Sequence, residues 1–344
     1  MSTTIPHSRP WINTEDHEAV LRVLRSELIG QGIQCQKLEQ RLAKWVNAAD
    51  GVAVASGAAA IVLALHGIGI SEGDEVILPS YICHSVFEAV LSLRAIPVLC
   101  DVGVDWVITV DTAAKLITAR TRAIIAPHIY GIFCDVIAIK SLGIPVIEDC
   151  AQAFAGEFQR DIQGDVAIFS FHPTKCLTSG EGGVAVSKDI RLAERMRAFR
   201  DGEATKLRAR LFSPLSDIAA SLVFAQLDRY PQMLARRQSI ANRYREAFEK
   251  IDPESLNSEA LSRSMFFRFP VRMGGGIDLY HDKFLKQGIH IRRGVDALLH
   301  RYLGIDDDIF PISVSLFNTT ITLPIYPALT ELEESHCIDS IEKI

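Results

Sequence analysis

The chain has 344 residues, 48% of them hydrophobic and 23% charged, with a formal net charge of −6. That is the composition of a globular protein with room for two domains, and it offers no bulk attraction to nucleic acid or an anionic membrane. The N-terminus lacks an apolar leader core and no run is long enough to span a bilayer, so a cytoplasmic protein without membrane partner is expected.

Helical periodicity opens the chain: Val20, Leu21, Val23, Leu24 and Leu28, then Leu38, Leu42, Trp45 and Val46, interrupted by the breaker IGQGI. Two helices are expected over residues 14–47. From residue 51 the pattern changes to short apolar runs alternating with helical stretches: GVAVAS, AAAIVLALHGIG, EVILPS, a helix from Phe87 to Leu93, and IPVLCDV. RAIIAPHI, a helix at 136–141, PVIEDC, VAIFSF and GVAVS continue it. This rhythm predicts βαβ units, an α/β fold and a mostly parallel sheet flanked by helices. Residues 216–251 read as one long helical stretch, after which MFFRFPVRM, DLYHDKFLKQGIHIRR, TITLPIYP and a last helix predict a smaller α+β unit. The boundary is placed inside the long helix, giving domains of residues 1–235 and 236–344. Seven cysteines, odd in number and never spaced as CxxC, argue against disulfides and against a zinc site, so no metal is expected.

Three local features carry chemistry. In SFHPTKCLTSGEGG, Lys175 lies between a strand-like run and a glycine-rich turn, a position where an amine can condense with an aldehyde cofactor. Taken alone it is equally a solvated loop lysine. In PVIEDC a strand ends in Glu148 and Asp149, so a carboxylate emerges at the same sheet edge; a carboxylate against a pyridine nitrogen keeps it protonated, though a capping Asp has the same look. In VAVASGAAA a strand turns through Gly57, Ala58 and Ala59 into a helix whose first N–H groups are free for an anion. No GxGxxG or GxxxxGK[ST] pattern directs the chain to a dinucleotide or a P-loop. His128 and Tyr130 in APHIYG, His172, and Arg292 with Arg293 are further candidates for lining a substrate cavity or holding a substrate carboxylate or diphosphate.

In this order the pieces resemble the DegT/DnrJ/EryC1/StrS family of pyridoxal-phosphate-dependent sugar aminotransferases, fold type I. The likeness runs nearly end to end through IPHSRPWI, GQG at 30–32, SGAAA, GDEVILPSY, VIEDCAQAF, FSFHPTKCLTSGEGG, AQLDRYPQMLARRQ, GIHIRR and LPIYPALT. The resemblance implies Lys175 as the Schiff-base lysine, Asp149 as partner of the pyridine nitrogen and Gln152 facing the ring hydroxyl. It implies Ser170, Gly57, Ala58 and Ala59 around the phosphate, with backbone donors prominent because the family's usual Thr is Ala58 here. Where the family often stacks an aromatic on the cofactor this chain has Cys83, so the stacking role falls to a neighbour such as His84 or is absent. RLFSPLSD lacks the family's Asn-x-Arg, leaving Arg208 or Arg210 as substitutes. An amino donor, most simply glutamate, a nucleotide-linked keto sugar, pyridoxal phosphate cycling through pyridoxamine phosphate, and a homodimer are all implied. Sugar-dehydrating relatives carry histidine in place of the lysine, and a non-catalytic cofactor-binding protein is the other alternative.

Overall fold

The computed structural model describes residues 4–154, 161–202 and 210–343. Nine strands are present among the described residues: β1 (Asp50–Val54), β2 (Glu75–Pro79), β3 (Ile96–Cys100), β4 (Thr121–Pro127), β5 (Val146–Asp149), β6 (Val166–Ser170), β7 (Gly183–Ser187), β8 (Phe269–Arg272) and β9 (Thr320–Leu323). The first seven form one sheet in the order β1-β7-β6-β5-β4-β2-β3. It is parallel except at β7, which runs antiparallel to both neighbours. Residues 171–182, which carry Lys175, thus connect β6 and β7 like a long hairpin and leave no crossover helix there.

The near-continuous apolar strands follow from burial on both faces. In β6, Val166 and Ile168 join one core cluster, whereas Ala167 and Phe169 join the cluster on the opposite face. The helix Gly57–Ile68 packs over β6 and β7 on the first face, and the helices Ile33–Trp45 and Asp217–Leu227 lie on the other side.

The expected helical stretch at 216–251 breaks at Asp228 and Arg229 into Asp217–Leu227 and Tyr230–Ile251. The second of these crosses between cores. Tyr230, Met233 and Leu234 belong to the cluster of the large sheet, and Ile240, Tyr244 and Phe248 pack with Phe269, Val271, Ile321 and Leu323 of the two-stranded sheet β8-β9. Packing changes hands between Leu234 and Ile240, but the chain does not divide cleanly there. Ile5 packs into the small core through a bridge to Ile289. Val295, Leu298, Leu299, Phe310, Leu316 and Phe317 pack instead on the core of the large sheet.

One contact between the two regions is unusually close. The hydroxyls of Tyr81 and Tyr130, 2.7 Å apart and buried, lie directly against Gly294. A Cβ at 294 would overlap the Tyr130 hydroxyl outright, and both rings are fixed by the core. Gly294→Ala is therefore expected to destabilise the protein by about 3 kcal/mol, the upper part of the range for overpacking. A chemical-denaturation midpoint equal to that of the wild type would contradict this packing.

Candidate active site

The strand register brings the three chemical features to one edge. Val54 pairs with Gly183 and Gly183 with Ser170, so the ends of β1 and β6 and the start of β7 lie side by side. Asp149, the last residue of β5, pairs with Pro127 and Ile168. Beyond this edge lies a cavity of about 430 Å³, lined among others by Gly57, Cys83, Asp149, Gln152, Ser170, Lys175 and Arg268.

At the start of the helix Gly57–Ile68, Ser56 caps: its hydroxyl accepts from Ala59 N–H at 3.1 Å and its carbonyl from Ala60 N–H. Ala59 is thus buried and its amide committed, so it does not line the cavity as the sequence suggested. The amides of Gly57 and Ala58 remain as the helix's unpaired donors, next to Ser170. Gly57 is required by that closeness, because a Cβ there would stand 2.7 Å from Ser170 Cβ.

Lys175 lies half-buried on the turn after His172, its backbone N–H donating to His172 C=O at 2.8 Å. The turn is locked from outside. Gln226, fully buried, accepts from Thr178 N–H at 3.0 Å and donates to Thr178 C=O at 2.7 Å, while Thr178 Oγ1 donates to Phe171 C=O. Gln226 is a positioning residue that sequence reasoning did not pick out; its place in AQLD gave no chemical signal. Burial pushes the Lys175 amine below the ordinary lysine range, Arg268 adds to this, and Asp149 and Cys83 oppose it.

Asp149 is buried and accepts a 2.9 Å hydrogen bond from Ala151 N–H. Desolvation raises its pKa, against the Ala151 N–H and the charge of Lys175. Below it, His128 accepts from Cys134 N–H at Nδ1 (3.2 Å), which places its proton on Nε2, facing Glu148 Oε1 at 2.9 Å. Glu148 is desolvated, yet it is held below the usual carboxylate range by His128 and by the N–H groups of Gly164 and Gln163. Its other oxygen takes both of those N–H donors. His128, Glu148 and Cys150 have metal-ligand atoms within 4.8 Å of one another, but the histidine and carboxylate atoms are spent in this network. His128 lines the cavity as a support under Asp149, with both ring nitrogens engaged. Gln152 lines it too, its Oε1 fixed by Tyr130 N–H at 2.8 Å, which leaves Nε2 as the donor end.

Two other assignments are corrected. His84 does not line the cavity: it is exposed, pairs with Glu88 at 3.2 Å and packs against Tyr302 at 4.8 Å, so it cannot stack on a ligand there. Ile82, Cys83, Ser85 and Val86 present that wall instead. Tyr130 has left-handed backbone (φ 60°) that turns its ring into the core, edge-on to Trp106, with its hydroxyl on Tyr81. His172 and Arg292 lie exposed on the rim of the cavity. Arg208 falls outside the described residues, and Arg210 is exposed, donating to Asp201 C=O at 3.3 Å. Arg268, which the sequence reading left without a role, enters the cavity wall from just before β8.

The family model for DegT/DnrJ/EryC1/StrS aminotransferases matches residues 10–342. The chain belongs to that family. It is an aminotransferase of fold type I that uses pyridoxal phosphate. Spr1654 of Streptococcus pneumoniae, a candidate sugar aminotransferase solved in its PLP form, shares 25% identity over 99% of this chain and 98% of that one, with a TM-score of 0.91. DesV of S. venezuelae, solved with a ketimine intermediate, is 28% identical over 98% of both chains, TM-score 0.88. The aminotransferase TlmJ of Streptoalloteichus hindustanus is 27% identical over 99% and 98%, TM-score 0.89.

The residues present fit the cofactor on their own chemistry. Free helix-start amides beside Ser170 suit a phosphate, the buried Asp149 carboxylate suits a ring nitrogen carrying a proton, and a lysine of lowered basicity stands in the same cavity.

Proposed function

We propose that the protein transfers the amino group of an α-amino acid, most simply glutamate, to a keto sugar carried on a nucleotide. The observation that supports it is the shared cavity of Lys175, Asp149 and the Gly57–Ala58 amides at one sheet edge. Gly57 and Ala58 N–H and the Ser170 hydroxyl would hold the phosphate, and Asp149 would keep a proton on the pyridine nitrogen. Pyridoxal phosphate, when bound, supplies the electron sink that makes the donor's α-carbon acidic. Lys175, its basicity lowered by burial, takes the proton from that carbon and returns it on the other side of the exchange. Gln152 Nε2 is the donor for the ring hydroxyl.

The sugar and its nucleotide are supported by space and by likeness. The cavity shares Arg292 and Asp296 with a neighbouring hollow of about 500 Å³ lined by His7, His281, His290 and Arg293. The pair accommodates a ligand longer than one sugar and presents cations to a diphosphate. Spr1654, a candidate sugar aminotransferase, supports the sugar. With glutamate and a panel of nucleotide-linked keto sugars, one sugar should be aminated with one equivalent of 2-oxoglutarate formed; 2-oxoglutarate formation with no sugar ever aminated would remove the sugar from the proposal.

The division into residues 1–235 and 236–344 is kept as a working boundary, supported by the change of core partners along the helix Tyr230–Ile251. Among the described residues no helix is long and apolar enough to cross a membrane. A cytoplasmic location is the companion proposal, to be checked by cell fractionation. A homodimer is supported by the exposed Leu24, Leu28, Ile29 and Ile33, apolar side chains close in sequence from the end of the helix Thr14–Arg25 to the start of the helix Ile33–Trp45. Sedimentation should give twice the 38.0 kDa chain mass, and a monomer at micromolar concentration would refute it.

A further inference from the structure

The cavity wall contains a cation that has no counter-ion among the described residues. Arg268 is 9% exposed, and its Nη1 is buried with no hydrogen-bond partner. Its backbone N–H donates to Tyr130 C=O, and its guanidinium lies 4.4 Å from the centre of the Phe267 ring. Lys175 Nζ lies 5.4 Å from the centre of the same ring. Burial lowers the Arg268 pKa to about 9, with Arg237 and Arg292 adding like charge and Cys176 and Tyr130 opposing, so the group is still a cation at neutral pH. A desolvated, unpaired guanidinium is costly to hold. Its planar fork is matched by a carboxylate.

The position decides which anion. An α-amino acid reacting next to Lys175 has its carboxylate one carbon from the reacting nitrogen, so the countercharge must lie near the lysine, as Arg268 does through their shared neighbour Phe267. A diphosphate on a keto sugar lies several bonds from the carbon that reacts, and the rim residue Arg292 stands on that outer side. We propose that Arg268 is the anchor for the α-carboxylate of the amino donor, selecting amino acids over plain amines. This rests on the aminotransferase reading above and assigns the donor subsite within it. The keto sugar brings no carboxylate to this point, so Arg268 is needed for the donor stage and not for the acceptor stage.

The test uses cofactor-loaded wild type, Arg268→Gln and Arg268→Lys. The concentration of glutamate that half-saturates loss of the visible band should rise about 10- to 100-fold in R268Q and less in R268K, which keeps the charge but not the fork. Glutarate, which has the carboxylates but no amine, should raise the melting temperature of the wild type and shift the pH midpoint of its visible band upward, because it neutralises the cation beside the lysine. Both responses should vanish in R268Q. Glutamate saturation within threefold of wild type in R268Q, or retained glutarate responses, would overturn the anchor. A wild type that answers glutarate but no amino acid would instead overturn the aminotransferase reading and leave the carboxylate site standing; the two failures are thus separable.

Discussion

Lys175→Ala is expected to lower amino transfer by at least about 10³-fold while leaving the protein folded. In the proposed role the side chain serves twice, as the covalent attachment point and as the proton carrier at the donor's α-carbon, and positioned acid–base catalysis alone contributes about 10²–10⁴-fold. Its structural role is small. Its turn is held by Thr178 and Gln226 and by backbone bonds that survive the substitution, and the lysine amine itself lies 5.4 Å from the centre of the Phe267 ring. The sign of the stability effect also follows. The folded-state pKa of Lys175 is depressed by burial, so below its ordinary unfolded value the buried ammonium weakens the fold. Removing it should leave the thermal midpoint unchanged or slightly higher at pH 7. Steady-state turnover measured beside a melting curve checks both parts; substantial turnover, or a collapse in melting temperature, would contradict the assignment.

Asp149→Ala is expected to reduce turnover on the order of 10²–10³-fold, the usual effect of deleting one preorganised electrostatic partner in a desolvated site. The carboxylate lies at the buried end of β5 and accepts one hydrogen bond from Ala151, so its second oxygen is the group available to a ring nitrogen. Without it that nitrogen loses its proton at neutral pH and the electron sink weakens. The loss should fall on kcat more than on glutamate saturation, since Arg268 rather than Asp149 faces the donor's carboxylate. Asp149→Asn should be nearly as slow, because an amide keeps the shape but not the charge. An Asn variant with wild-type kcat would show that the charge is not used.

The strands were legible because both faces of the sheet are buried, which writes each strand as an unbroken apolar run, as in VAIFSF. The reversed direction of β7 was not, since apolar runs carry no direction; it follows from the absence of a helix between Ser170 and Gly183. Lys175 and Asp149 were readable because each interrupts an apolar run at its end. His84 was misplaced for a reason the sequence did contain. Glu88 follows it by four residues, and such a pair marks the solvent face of a helix. Tyr130 was misplaced because its direction is set by a positive φ at a non-glycine residue, for which no local signal exists. Arg268 had a signal that went unused: a lone cation inside MFFRFPV must either find a partner in the core or be waiting for one. Ser56, which removes the Ala59 amide from the cavity, is an ordinary N-cap serine and could have been assigned from SGAAA alone.

On the proposed function Lys175, Asp149 and the Gly57–Ala58 turn together make a working amino-transfer site, although Ala58 and Cys83 depart from the family's usual residues. It is tested most directly by adding glutamate alone to the pyridoxal-phosphate-loaded protein and following its visible absorbance together with 2-oxoglutarate. Loss of the visible band with one equivalent of 2-oxoglutarate per chain is the predicted result. A loaded protein whose spectrum stays unchanged with glutamate and with every other amino acid would contradict it and leave a protein that binds the cofactor without using it.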